Sequence, residues 1–174
     1  MTAINLGERL GPAAGDAARR LLAALADLSA TTPVVTDNRL HAWEWLVRPD
    51  GSFCKTDALD HASSHDLIGC QPVEWDLAGL AAEFDLDPAE RRDVLAAVRA
   101  HGVAVNAAAV PLMELCYLGF QIGLWTDALW RAEGEDRTRI KALASRYAGR
   151  ASRLLGDGSK PIGNSRSQPE FAAQ

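Results

Sequence analysis

Residues 110–130 are so apolar that they must be buried in a protein interior or in a bilayer, and Glu114, Gln121 and Asp127 interrupt them at helical spacing. Charged and amide side chains are costly in hydrocarbon, so these interruptions argue against a membrane span and for a buried core helix. Gly119 and Gly123 form a small-xxx-small pair on it, which in a water-soluble core predicts tight packing by a neighbour. The rest of the chain supplies amphipathic elements to cover such a helix.

Leu21, Leu22, Leu25 and Leu28 recur at helical spacing and predict a helix over residues 16–28, stopped by Thr31, Thr32 and Pro33. Val34, Val35 and Thr36 are β-branched and suit a short extended segment. Residues 43–47 and 52–55 flank Arg48-Pro49-Asp50-Gly51, a turn sequence, and predict a small hairpin at about 43–56. Residues 58–72 lack periodicity, and a loop of that length is more often functional than not.

Beyond Pro72, the residues Trp75, Leu77, Leu80, Ala81 and Phe84 form a helical stripe. Asp87, Pro88 and Glu90 then supply an N-cap, a first-turn proline and a capping-box acid for a helix that stops at Gly102. Further helices are predicted over 111–132 and 137–155, while residues 156–174, rich in Gly, Ser, Pro and Asn, read as a disordered tail. The expectation is a mainly helical α+β domain over residues 1–155, with roughly five helices and one hairpin.

At 174 residues, with 48% hydrophobic and 24% charged, the chain suits one globular domain. A net charge of −5 gives no drive toward nucleic acid or anionic lipid. The first ten residues lack the apolar run of a secretory leader, and three cysteines make no complete disulfide framework. The expectation is a cytoplasmic protein without nucleic-acid or membrane partners.

Asp37 follows the extended segment and Asp57 follows the second strand of the hairpin, so a returning chain would bring both carboxylates to one end. Phosphoryl transfer uses such a pair, one acid to orient an acceptor hydroxyl and one to hold the metal that offsets phosphate charge. An aspartate at a strand end is by itself more often a turn or cap residue.

Over residues 34–84 the text VVTDNRLHAWEWLVRPDGSFCKTDALDHASSHDLIGCQPVEWDLAGLAAEF resembles the C-terminal lobe of the aminoglycoside phosphotransferase and choline-kinase-like families. Those lobes carry a catalytic-loop aspartate, a short hairpin, a metal-binding aspartate and an Asp-Leu-Ala segment opening a helix. The resemblance implies a kinase-like C-terminal lobe using ATP and Mg2+ on a small-molecule hydroxyl substrate. It makes Asp37 the catalytic base, Asp57 the metal ligand and Asp76 a structural acid bracing the catalytic loop.

Two departures accompany this match. Val35-Thr36 stand where the family has His-Gly, and Ala42 stands where it has a metal-binding asparagine. Asn38, His41 and Glu44 are the neighbours from which a substitute ligand would come, with Asn38 and His41 the candidate cofactor-binding pair. His65 and Asp66 read as a supporting pair near the site. The chain shows no glycine-rich phosphate loop; Lys55, two residues before Asp57, could point its side chain toward the same site but is not the strand lysine of an N-terminal lobe. A partner chain or an upstream N-lobe is therefore expected to complete the nucleotide cleft.

Two rivals accompany this reading. Cys54, Cys70, His61 and His65 permit a zinc site, although their spacing fits no familiar framework. Alternatively the chain is a catalytically inactive kinase-like module that binds another protein through the apolar surface an N-lobe would cover.

Overall fold

The computed structural model describes residues 1–27, 32–56 and 68–156. Among them are six α-helices and one two-stranded antiparallel sheet. In chain order these are α1 (Thr2–Leu10), α2 (Pro12–Asp27), β1 (Trp45–Val47), β2 (Phe53–Lys55), α3 (Val73–Phe84), α4 (Pro88–Ala100), α5 (Val110–Arg131) and α6 (Gly134–Leu154). A short 3-10 turn, Ala42–Glu44, leads into β1.

The α5 helix is the axis of the fold and packs against α1, α2, α3 and α6. Its buried residues include Met113, Leu115, Tyr117, Leu118 and Ile122, joined in the core by Leu6, Ala18, Trp75, Ala78 and Tyr147. No helix among the described residues is long and apolar enough to cross a membrane. Polar groups buried on α5 are bonded: Gln121 accepts the Trp125 indole N–H at 3.0 Å. Glu114, fully buried, binds Arg91 of α4 at 2.6 and 3.1 Å and Arg150 of α6 at 2.7 Å. Arg150 also pairs with Asp85 at the end of α3. One acid thus ties three helices together, and its charge is met by two guanidinium groups.

The helix α1 was not foreseen, and it accounts for the sixth helix. Ala3, Leu6 and Leu10, at helical spacing, pack against the core, with Leu6 fully buried, and close backbone approaches seat the helix. A Cβ on Gly119 would fall 2.7 Å from Thr2 Cγ2 and 3.0 Å from its Cα; one on Gly15 would fall 2.9 Å from the Ala3 carbonyl oxygen. The Gly119/Gly123 pair is the groove in which α1 lies, and Asn5 donates to the Gly119 carbonyl at 2.8 Å. The helix α2 starts at Pro12, earlier than the leucine spacing suggested, and buries Ala14 and Ala18 whereas Leu21 is exposed.

The capping box of α4 is complete: the Asp87 carboxylate accepts the Ala89 and Glu90 N–H groups, and Glu90 accepts that of Asp87. In the hairpin Trp45 pairs with Lys55, Leu46 with Cys54 and Val47 with Phe53. Gly51, at φ 80°, takes the left-handed turn position, and Ser52 N–H donates to the Asp50 side chain.

Candidate functional site

The loop between α2 and the hairpin is anchored at its start, where Val34 N–H donates to the Gln71 carbonyl at 2.9 Å in an isolated antiparallel bridge. It then turns sharply at Asn38, which is buried and left-handed at φ 63°. Such a backbone costs about 1 kcal/mol or more for a residue with a Cβ, and local hydrogen bonds offset it. Asn38 Nδ2 donates to the Gly69 carbonyl and its Oδ1 accepts the Thr36 hydroxyl, both at 3.1 Å.

From the first turn of α3, the Asp76 carboxylate receives the backbone N–H of Asp37 at 2.8 Å on one oxygen and that of Asn38 at 3.1 Å on the other. Burial pushes the Asp76 carboxyl up; the two N–H bonds and Lys55 oppose this, the Asp37 charge adds to it, and the net is above the ordinary aspartate value. Asp37, Asn38 and Asp76, far apart in sequence, are therefore brought together.

The Asp37 carboxylate accepts the Arg39 N–H at 3.3 Å on Oδ1. Its Oδ2 lies 3.2 Å from the Lys55 ammonium, which lies 2.8 Å from Glu44 Oε2. These three side chains are only 12–15% exposed. The hairpin brings them together: Thr56 donates both its N–H and its hydroxyl to the Glu44 carbonyl at 2.9 Å, closing the end of β2 onto the 3-10 turn.

His41 faces the helical core. Its Nδ1 is 3.3 Å from Glu83 Oε1 and 3.5 Å from the Tyr147 hydroxyl, and its ring stacks on Trp43 at 4.3 Å. Glu83 also accepts the hydroxyls of Tyr117 and Tyr147 at 2.8 and 2.7 Å. Burial raises the Glu83 carboxyl, but the hydrogen bond and charge of His41 and the two tyrosine hydroxyls outweigh it, leaving the net below the ordinary value. Burial beside Glu83 raises both tyrosines. Its other oxygen has no hydrogen-bond partner, though the Arg146 guanidinium stands 3.5 Å away.

Asp57, His61, His65 and Asp66 lie outside the described residues. Cys54 is half-buried and Cys70 exposed, both as free thiols. Among the described residues no group of three or more His, Cys, Asp or Glu is arranged to hold a metal. Near Asp37 the described acids are Glu44, bridged to it by the Lys55 ammonium, and Asp76, whose two oxygens take the Asp37 and Asn38 N–H groups, with the Ala42 methyl where the resemblance calls for an amide oxygen. That set does not fit magnesium, which takes near-octahedral oxygen ligation. A cleft of about 340 Å³ between α1 and α5, lined by Asn5, Glu8, Ile122 and Trp130 among others, includes none of these residues.

The sequence reading missed Glu83, and it named Glu44 only as a substitute metal ligand and not as the acid that binds Lys55. Glu44 precedes the residue paired with Lys55 in the hairpin, so the register was its signal. Glu83 lies seven residues after Asp76, two turns along α3 on the same face, which was the signal that it too points toward the loop.

Compared with family models, curated proteins and solved structures, the chain matches none. What fold and site define is a mainly helical α+β chain with one small hairpin, and an aspartate loop braced by an acid from the neighbouring helix.

Proposed function

We propose that the chain is the kinase-like C-terminal lobe of an ATP-dependent phosphotransferase of the aminoglycoside phosphotransferase type, acting in the cytoplasm on the hydroxyl of a small molecule. One observation carries this: the Asp76 carboxylate takes both N–H groups of Asp37-Asn38 and so fixes the backbone that presents Asp37. Bracing of this kind suits an acid that must meet a substrate hydroxyl at hydrogen-bond distance, because a small displacement of a reacting group is costly to rate. In this reading Asp37 accepts or orients the hydroxyl proton, and ATP with Mg2+, the latter at Asp57, belongs to the same proposal. A nucleotide-gripping lobe comes from a further segment or a partner chain, since Lys55 is committed to Asp37 and Glu44.

The test is phosphate transfer from ATP to a panel of hydroxyl compounds in a preparation reconstituted with that lobe. Asp37→Asn abolishes turnover with an unchanged circular dichroism spectrum; unchanged turnover rejects the assignment.

A second reading, an inactive module that binds a protein, has its own observation. Val35, Trp43, Leu46 and Phe53 on the loop and hairpin are 58–84% exposed, an apolar surface beside Asp37. Retained partner binding by Asp37→Asn, with no transfer by the wild type on any panel member, favours it.

A further inference from the structure

The resemblance calls for a metal-binding side chain at residue 42, and the described residues place a different cation beside Asp37. The Lys55 ammonium lies 3.2 Å from Asp37 Oδ2 and 2.8 Å from Glu44 Oε2, so one positive charge bridges two acids that would otherwise repel. All three side chains are largely withdrawn from water, where such a bridge is least screened. The ammonium is delivered by a framework rather than by a free side chain. Trp45 pairs with Lys55 across the hairpin, and the Glu44 carbonyl is doubly bonded by Thr56, so the donor and one acceptor are fixed by the same backbone.

We infer that Lys55 is a positioning residue, the built-in counter-cation of the Asp37–Glu44 pair, orienting the Asp37 carboxylate at the end of the site where a metal held through residue 42 would otherwise do so. The inference rests on Asp37 being the working acid, as proposed above. A divalent ion and an ammonium compete for the same two carboxylates, and the tethered ammonium is always at hand. The pair is therefore closed to metal in the wild type and opens to it when the ammonium is removed.

The probe is Tb3+, whose luminescence is sensitised by tryptophan, and Trp43 and Trp45 flank Glu44 in sequence. All proteins carry Asp57→Asn, so that an ion at that position does not contribute. Lys55→Met is expected to bind Tb3+ roughly tenfold or more tightly than its parent, and Glu44→Gln added to it is expected to abolish the gain. Equal affinity with and without Lys55, or a gain that survives Glu44→Gln, overturns the inference.

A second measurement on the folded wild type covers the case in which Lys55→Met does not fold. An ammonium held by two carboxylates exchanges slowly, so the Lys55 side-chain 1H–15N signal is expected in the cold and is lost in Glu44→Gln; its absence from the wild type overturns the inference. Neither arm involves turnover. Their failure leaves the phosphotransfer reading standing, whereas unchanged turnover in Asp37→Asn removes that reading and leaves the bridge.

Discussion

Oε1 of Glu83, near the end of α3, lies 3.3 Å from Nδ1 of His41 on the loop that carries Asp37. The same oxygen takes the hydroxyls of Tyr117 and Tyr147, so one buried atom joins the site loop to α3, α5 and α6. Glu83→Ala leaves these buried donors without an acceptor and is expected to cost about 3–5 kcal/mol in urea unfolding. A loss under about 1 kcal/mol would mean that the cluster is filled by water without penalty.

Glu83 and Asp76 shift in opposite directions, and the signs predict opposite pH effects. Glu83 is lowered, so its contribution to stability is present above its ordinary value of 4.5 and is lost as pH falls through the lower folded-state value. Asp76 is raised, so the folded state favours its protonated form; that contribution is present below 3.8 and is lost as pH rises through the raised value. Carboxyl 13C titration should place the Glu83 midpoint below 4.5 and the Asp76 midpoint above 3.8. A Glu83 midpoint above 4.5 or an Asp76 midpoint below 3.8 contradicts the geometry invoked for it.

Glycines on two helices separate a packing role from a conformational cost. At Gly119 an added Cβ meets Thr2, including its backbone Cα at 3.0 Å, so α1 must move as a body. Gly119→Ala is expected to destabilise by roughly 1–3 kcal/mol. Gly149, exposed in α6, has only the far end of Arg153 at 3.9 Å from such a Cβ. Gly149→Ala is expected to stabilise by about 0.5–1 kcal/mol, because alanine loses less chain entropy in a helix. Thermal melts of the two variants should move in opposite directions.

These glycines also show what local pattern carries and what it leaves out. The capping box of α4, the Arg48-Pro49-Asp50-Gly51 turn and the apolar run of α5 are each written within a few residues, so the hairpin and these helices were legible. The fit of α1 against α5 was not, because Thr2, Asn5, Gly119 and Gly123 meet only after the chain has folded. The same divide runs through the site. That Asp76 braces the Asp37 loop was what the resemblance implied, and the position of Lys55 two residues before Asp57 pointed its side chain toward the site; its seat between Asp37 and Glu44, and the inward turn of His41, depend on side-chain directions that spacing alone does not fix.

Glu114 tests whether the helical lobe is held by charge as well as by apolar packing. Its fully buried carboxylate is shared by Arg91 and Arg150, so Glu114→Ala removes the buried counter-charge of both, leaving Arg150 only Asp85 and Arg91 only the Leu86 carbonyl. A loss of roughly 3–5 kcal/mol in urea unfolding is expected. Glu114→Leu in the Arg91→Leu, Arg150→Leu background should recover much of it, since an apolar replacement of a whole buried ionic group is often neutral.

Nucleotide binding by the chain alone bears on the two lysines among the described residues. Lys55 is bonded to two carboxylates, and Lys141 is exposed on α6. Among the described side chains, a γ-phosphate approaching Asp37 meets an ammonium already shared between two carboxylates. Calorimetry of the isolated chain with ATP and Mg2+ is therefore expected to give a Kd weaker than about 1 mM. Lys55→Met should weaken it no further, because the ammonium it removes is not directed at phosphate. Micromolar binding by the wild type, abolished in Lys55→Met, would show that Lys55 leaves its carboxylates to take the nucleotide, and that the site works as a clamp rather than as a fixed bridge.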